Sequence, residues 1–359
     1  MSGIDARLNN FGLLRLLFAS SVVLSHAPEL VDGNRSRELL TRIFGTLSFG
    51  ELGVDGFFLI SGYLITRSFL TSPGLLAYLT KRVARIYPAF LVATIVSIAV
   101  FAPLSGTDLS ALLPRDWVRV LRDAVLLQPP PVPAFAGVHY PILNGAMWTI
   151  AYEFRCYLLV ACLGLLGILQ RRLYVLAGTI ILVLLLTAKP PTPYNPSILM
   201  LGNVPDTIRM TAAFFVGSIF YLYRDVIVYR TDHAVLAAIA LVACMFVPRV
   251  AEPALYIFGG YLIFWLALVV KASPLSGITT EHDISYGLYL YTWPIQSTLV
   301  FFYKDISPWL MFAVSLGLAA LFGLVSWAFL ERKILRLVHR RPNSDPGVVP
   351  VRAQAQTGA

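Results

Sequence analysis

Residues 11–27 read Phe11-Gly12-Leu13-Leu14-Arg15-Leu16-Leu17-Phe18-Ala19-Ser20-Ser21-Val22-Val23-Leu24-Ser25-His26-Ala27, an apolar run interrupted by one arginine and closed by one histidine. With the two residues that follow, the run spans about 28 Å as a helix, close to the thickness of a bilayer's hydrocarbon core. It does not read as a secretory signal, because no small-x-small cleavage site follows Leu24 and Arg15 would interrupt the apolar core of such a signal. The stretch is therefore expected to be a first transmembrane helix.

The same pattern recurs along the chain. Apolar runs fall at about 11–29, 48–70, 88–106, 145–168, 173–188, 207–223, 234–250, 254–270, 284–303 and 308–330. Over 359 residues, 57% hydrophobic and 13% charged residues with a mean hydropathy of +0.73 exclude an ordinary soluble domain, in which about a quarter of residues are charged. Long continuous runs also exclude an outer-membrane barrel, whose strands alternate over about ten residues. The expectation is an all-α polytopic membrane protein with about ten transmembrane helices. Residues 1–335 form the transmembrane domain, and 336–359 a basic, then disordered cytoplasmic tail.

The formal charge of +9 sits in short clusters between apolar runs, where topology and anionic lipid account for it, so no nucleic-acid partner is expected. With the N-terminus inside, sixteen Lys and Arg fall on inner segments against ten on outer ones. Both termini are accordingly expected in the cytoplasm. Cys156, Cys162 and Cys244 lie in apolar stretches and read as small buried hydrophobes. The longest loop, about 103–145, holds an amphipathic stretch from Asp108 to Leu127, expected along the outer interface. No internal repeat of the kind that marks many transporters is visible.

An ionisable group within a spanning helix carries a penalty of at least about 2.5 kcal/mol and is by default a functional hypothesis. Arg15 and His26, eleven residues apart, are about 20° from sharing one helical face. Asp55 lies in the second run and Glu153 in the fourth. Counting from the ends of the runs places His26, Asp55 and Glu153 in one layer near the outer boundary, where an imidazole and carboxylates take a proton from a hydroxyl. Each has a plainer reading, as an interfacial histidine, an interhelical ion pair or a snorkelling arginine. On the inner side, Lys81, Arg82 and Arg85 precede Tyr87-Pro88; Arg82 and Arg85 share a face and can grip a phosphate, or serve only as a topology signal. The ninth run, from Ser285 through Tyr286, Tyr289 and Pro294, reads as a helix lining a cavity. His139, His233, His282 and His339 show no metal-ligand spacing, and no metal is expected.

Four motifs occur in order: Arg15 with His26 eleven residues on; Gly53-Val54-Asp55 with Phe57-Phe58 and Ser61-Gly62; Arg82-x-x-Arg85-Ile86-x-Pro88; and Trp148-Thr149-Ile150-x-x-Glu153 with Tyr157. Ser285-Tyr286 with Tyr289-Leu290 and Pro294 follows. In this set the chain resembles, over about 11–330, the acyltransferase-3 family of integral membrane acyltransferases, bacterial proteins that acylate glycans. The resemblance implies transfer of an acyl group, most often acetyl, from cytoplasmic acyl-CoA to a carbohydrate hydroxyl across the bilayer of the bacterial inner membrane. It implies His26 as catalytic histidine, Arg15 as its partner on the first helix, and Arg82 and Arg85, with Lys81, toward the donor. Glu153 and Asp55 complete the expected catalytic set; Trp148, Ser61, Tyr286 and Tyr289 are expected to line the substrate cavity. No cofactor beyond the acyl-CoA co-substrate is expected; the partners are donor, acceptor and bilayer, and a homo-oligomer is compatible with all of this. Thr292 departs from the family pattern, standing where many members have histidine, as do Phe154-Arg155-Cys156 after Glu153. The alternative class is a transporter or flippase of glycan or lipid-linked intermediates.

Overall fold

A computed structural model describes residues 9–188, 203–271, 276–277, 279 and 283–339, and His282 lies outside this set. Among the described residues the regular elements are all helices, joined by turns and loops, with one isolated bridge between Pro133 and Ile142. The main helices are α1 Phe11–Asp32, α2 Leu39–Phe44, α3 Phe49–Thr71, α4 Leu75–Leu104, α5 Pro114–Val125, α6 Gly145–Leu165 and α7 Arg172–Thr187. They continue with α8 Val204–Leu222, α9 Thr231–Cys244, α10 Pro248–Leu268, α11 Ser285–Phe302 and α12 Pro308–Val338.

Each of the ten apolar runs is largely helical, and among the described residues six helices are long and apolar enough, by length and composition, to cross a membrane: α1, α3, α4, α6, α10 and α12. The difference from ten has two causes. The helices α7 and α9 have 16 and 14 residues, short of the roughly 20 that a span needs. The helices α8 and α11 are buried by protein on most sides, so they tolerate Asp206, Arg209, tyrosines and Gln296 that a lipid-facing helix would not. The outside of the bundle is apolar: Leu173, Ile181, Leu184, Leu236, Ile239, Leu321 and Phe329 are all exposed, as lipid rather than water requires.

The centre is a close crossing of α3 and α8. A side chain at Gly62 would meet the Phe214 carbonyl, and one at Gly217 the Leu59 carbonyl; the absence of Cβ lets the backbones touch. Thr66 then donates to Ser218 across the seam at 2.9 Å. The helix α1 packs antiparallel to α3, with Gly50 against Ser25, Gly53 against Val22 and Gly56 under the Phe18 ring. The start of α3 is fixed by a capping box, Ser48 with Glu51.

Two expectations about elements need correction. The third span begins at Leu75, so Lys81, Arg82 and Arg85 lie within α4 rather than ahead of it; Pro88 is accommodated inside the helix. The amphipathic stretch expected over 108–127 is helical only over Pro114–Val125, with a single 3-10 turn at Leu109–Ala111 before it. Its end reaches back to α4, where the Tyr87 hydroxyl donates to the Val125 carbonyl at 2.9 Å. Of the three cysteines, Cys156 is buried, Cys244 is partly covered and Cys162 is exposed.

Candidate active site

A cavity of about 440 Å³ lies between α1, α3, α4, α6 and α11, within the range of small-molecule sites. One end is basic. Arg15 reaches it from α1 and Lys81, Arg82 and Arg85 from the first turns of α4, where spacings of three and four bring them to one side. The other end is aromatic and hydroxylic, closed by Val54, Phe57, Thr149 and Tyr289.

The basic end is only partly neutralised. Asp283, just ahead of α11, receives Arg15 Nη1 at 3.0 Å and Arg85 Nη2 at 2.5 Å on the same oxygen. Arg85 Nη1 is also 3.5 Å from Glu331, which a π-helical turn at Trp327–Glu331 turns inward from α12. Arg82 is different. Its guanidinium lies 5.9 Å from the centres of both the Tyr78 and Tyr157 rings, its Nη2 is 3.4 Å from Ser68 Oγ, and its buried Nε has no hydrogen-bond partner. Among the described residues it has no carboxylate partner.

Midway along the cavity, Ser61 Oγ and Tyr157 Oη each donate to Glu153 Oε1 at 2.6 Å. Tyr286 lines the wall, its hydroxyl donating to the Ile86 carbonyl at 3.2 Å. At the aromatic end, Tyr289 and Thr149 hydroxyls are 2.6 Å apart, and the Phe57 and Tyr289 rings meet edge to face at 6.2 Å. The sequence-derived set Arg15, Lys81, Arg82, Arg85, Ser61, Glu153, Tyr286 and Tyr289 is thus brought together on one cavity.

Three expected members are not on that wall. Trp148 packs edge to face on Tyr152, its own neighbour one helical turn on, leaving Thr149 and Ile150 to line the cavity. Asp55 is fully buried and bonded to Arg209 Nη2 at 3.0 Å, with Glu252 3.4 Å from Arg209 Nε and Glu51 4.0 Å from its Nη1. His26 lies beyond the aromatic end. Its Nδ1 is 2.9 Å from Glu29 Oε2 and its ring meets the Trp293 edge at 5.0 Å.

The expected single layer of His26, Asp55 and Glu153 does not form. Read against α3, the residue beside His26 packs on Gly50, Asp55 is five residues further, and Glu153 bonds Ser61. Eleven residues of rise separate the extremes, about 16 Å. Helical periodicity fixes which face a residue takes, whereas depth depends on where neighbouring helices cross. Of the residues missed, Asp283, Glu331, Glu29 and Arg209 share a signal that was available, each being a charge inside or at the end of an apolar run, whereas Arg35 stands in the polar connection between two runs. Glu29 in particular stands three residues after His26, the spacing of helical neighbours.

Fold and site together define a membrane-embedded helical protein with a basic internal cavity. The comparisons with known proteins narrow this class: the chain belongs to the acyltransferase-3 family, whose model, described as "Acyltransferase domain", matches residues 8–330. It is similar to a protein named "O-acetyl transferase" from Shigella phage Sf6, 24% identical over 307 residues covering 81% of this chain and 86% of the relative. It is also similar to "Nodulation protein 10" of Rhizobium leguminosarum bv. viciae, 26% identical over 377 residues covering 92% and 94%. No solved structure matches the chain. The protein is an O-acyltransferase of the membrane.

Proposed function

We propose that the protein moves an acyl group, acetyl in the first instance, from cytoplasmic acyl-CoA to a hydroxyl of an exported carbohydrate. It does so in the inner membrane of a bacterium, with the basic end of the cavity and both termini facing the cytoplasm. One observation carries the donor assignment: in a cavity where Arg15 and Arg85 are held by carboxylates, Arg82 is desolvated, has no carboxylate partner among the described residues and has an orphan Nε. A buried guanidinium without a counter-ion is a standing site for phosphate, which Arg binds in a charge-assisted, bidentate way.

In this reading Arg82 and Lys81 hold the CoA phosphates, and the thin pantetheine arm lies along Ser61, Glu153 and Tyr286, whose polar atoms match its amides. The thioester passes between Phe57 and Tyr289 to the level of His26. The acceptor hydroxyl arrives from the opposite side of the bilayer and gives its proton to His26. Asp55 carries no step here; it ties α3 to α8 through Arg209. The name of the phage relative supports the acetyl donor.

The test is reconstituted protein given labelled acetyl-CoA and an exported polysaccharide. Label is expected in the acceptor, and Arg82→Gln is expected to raise the donor KM about tenfold or more, the loss of one charge-assisted contact, with the acceptor KM within about twofold. Label that never reaches the acceptor defeats the reading, and an unchanged donor KM removes the phosphate assignment.

A further inference from the structure

The end of α1 builds a second set of charges that the donor cavity does not use. Gly33 takes the left-handed conformation that stops the helix, its N–H bonding the Glu29 carbonyl, so Glu29 sits in the last turn, directly above His26. Glu29 Oε2 receives His26 Nδ1 at 2.9 Å. The same carboxylate is gripped by Arg35 Nη2, 3.0 Å from Oε2 and 3.2 Å from Oε1. Arg35 is itself anchored, its Nη1 donating to Ser48 Oγ at 2.9 Å, and Ser48 is the N-cap of α3, bonded to Glu51. A chain of four side chains therefore fixes the imidazole to two helices.

Its orientation is determined in turn. With Nδ1 directed at Glu29 and the Trp293 edge against the ring, Nε2 is the nitrogen left over, and it has no hydrogen bond among the described residues. A carboxylate accepting from Nδ1–H selects the tautomer whose Nε2 is a base.

We propose that Glu29, locked by Arg35, is the positioning residue that makes His26 a directed general base for the acceptor hydroxyl. The inference rests on the acyl-transfer reading above. The acceptor O–H gives its proton to Nε2 as its oxygen bonds the thioester carbonyl carbon. The C–S bond breaks, and the departing thiolate takes that proton from Nε2, leaving an ester and a free thiol. Glu29 stays ionised throughout and holds the transient imidazolium, the role the third member plays in a hydrolase triad. The acceptor hydroxyl stands where such a triad has its own nucleophile.

The experiment uses purified full-length protein in proteoliposomes with labelled acetyl-CoA and polysaccharide, comparing Glu29→Gln, Glu29→Ala, Arg35→Gln, His26→Ala and, as a control in the same loop, Arg37→Gln. Arg37 pairs with Asp32 at the surface and its variant is expected to keep wild-type rates. Glu29→Gln should lower kcat about 100-fold with the donor KM within about twofold, and added formate should restore Glu29→Ala at least about tenfold by refilling the carboxylate position. Arg35→Gln should lower kcat by about tenfold. If His26→Ala is inactive while Glu29→Gln keeps a third or more of wild-type kcat, or if formate restores nothing, Glu29 does not position the base and the inference is overturned with the reading intact. If His26→Ala still transfers label, the underlying reading itself falls.

Discussion

Asp283 shows how one residue sets the character of the basic end of the cavity. It lies outside the spanning helices. Burial works against its ionisation, but Arg85, Arg15 and the hydrogen bonds from Ser285 outweigh that and bring its pKa from 3.8 to about 2. A carboxyl whose pKa is lowered on folding adds stability that is complete above its unfolded value and fades as pH falls through the folded one. For Asp283 that window runs from 3.8 down to about 2, and the contribution is on the order of 2 kcal/mol. Detergent-solubilised protein is expected to lose thermal stability over this window, and Asp283→Asn to show a smaller fall there; parallel pH profiles for the two would show that the triad of Arg15, Asp283 and Arg85 is not maintained in solution. At this scale the sequence was informative about type and face. Arg15, Ser61, Glu153, Tyr286 and Tyr289 were legible because polar groups inside apolar runs must face protein, and Lys81, Arg82 and Arg85 as a basic cluster ahead of one. Partners such as Asp283 and Arg209 were not, because pairing is settled by tertiary contacts between runs more than a hundred residues apart.

Among the elements, three π-helical turns, Ser97–Phe101, Leu255–Gly259 and Trp327–Glu331, each adjoin a buried polar group. Ser97 faces Asn144, the Leu255–Gly259 turn carries Tyr256, whose hydroxyl is 3.5 Å from the Arg209 carbonyl, and the Trp327–Glu331 turn carries Glu331 toward Arg85. A wider turn re-aims a side chain without ending the helix, and nothing in hydrophobic periodicity announces it. At the α3–α8 crossing, Gly62 stood in a motif visible in the sequence, but its partner Gly217 was not announced. Gly217→Ala would press a methyl group into the Leu59 carbonyl and is expected to destabilise the protein by about 1–3 kcal/mol or more. Gly178→Ala, at an α7 position with open space around it, should instead stabilise by up to about 1 kcal/mol through helix propensity. Melting temperatures of the two variants decide the matter: equal shifts would mean that the backbones of α3 and α8 are not in contact.

For the whole molecule, composition sufficed to identify lipid as the main solvent, whereas hydropathy runs do not distinguish a helix facing lipid from one enclosed by its neighbours, so six of the ten runs stand out among the described residues as long, apolar helices. The basic end of the cavity and the His26 cluster lie near opposite ends of α1, about 16 Å apart by helical rise, which in the proposed function lets one substrate approach from each side. In a cysteine-free background, Lys333→Cys is expected to react with a membrane-impermeant maleimide only after permeabilisation, and Lys304→Cys in intact cells; the reverse pattern would invert the proposed orientation. The last helix adds a constraint of its own. At 31 residues α12 is about 46 Å long against a hydrocarbon slab of about 30 Å, so it must tilt or overhang. Leu335, near the end of that helix, walls the cavity, which makes the cavity's shape answer to the thickness of the host bilayer.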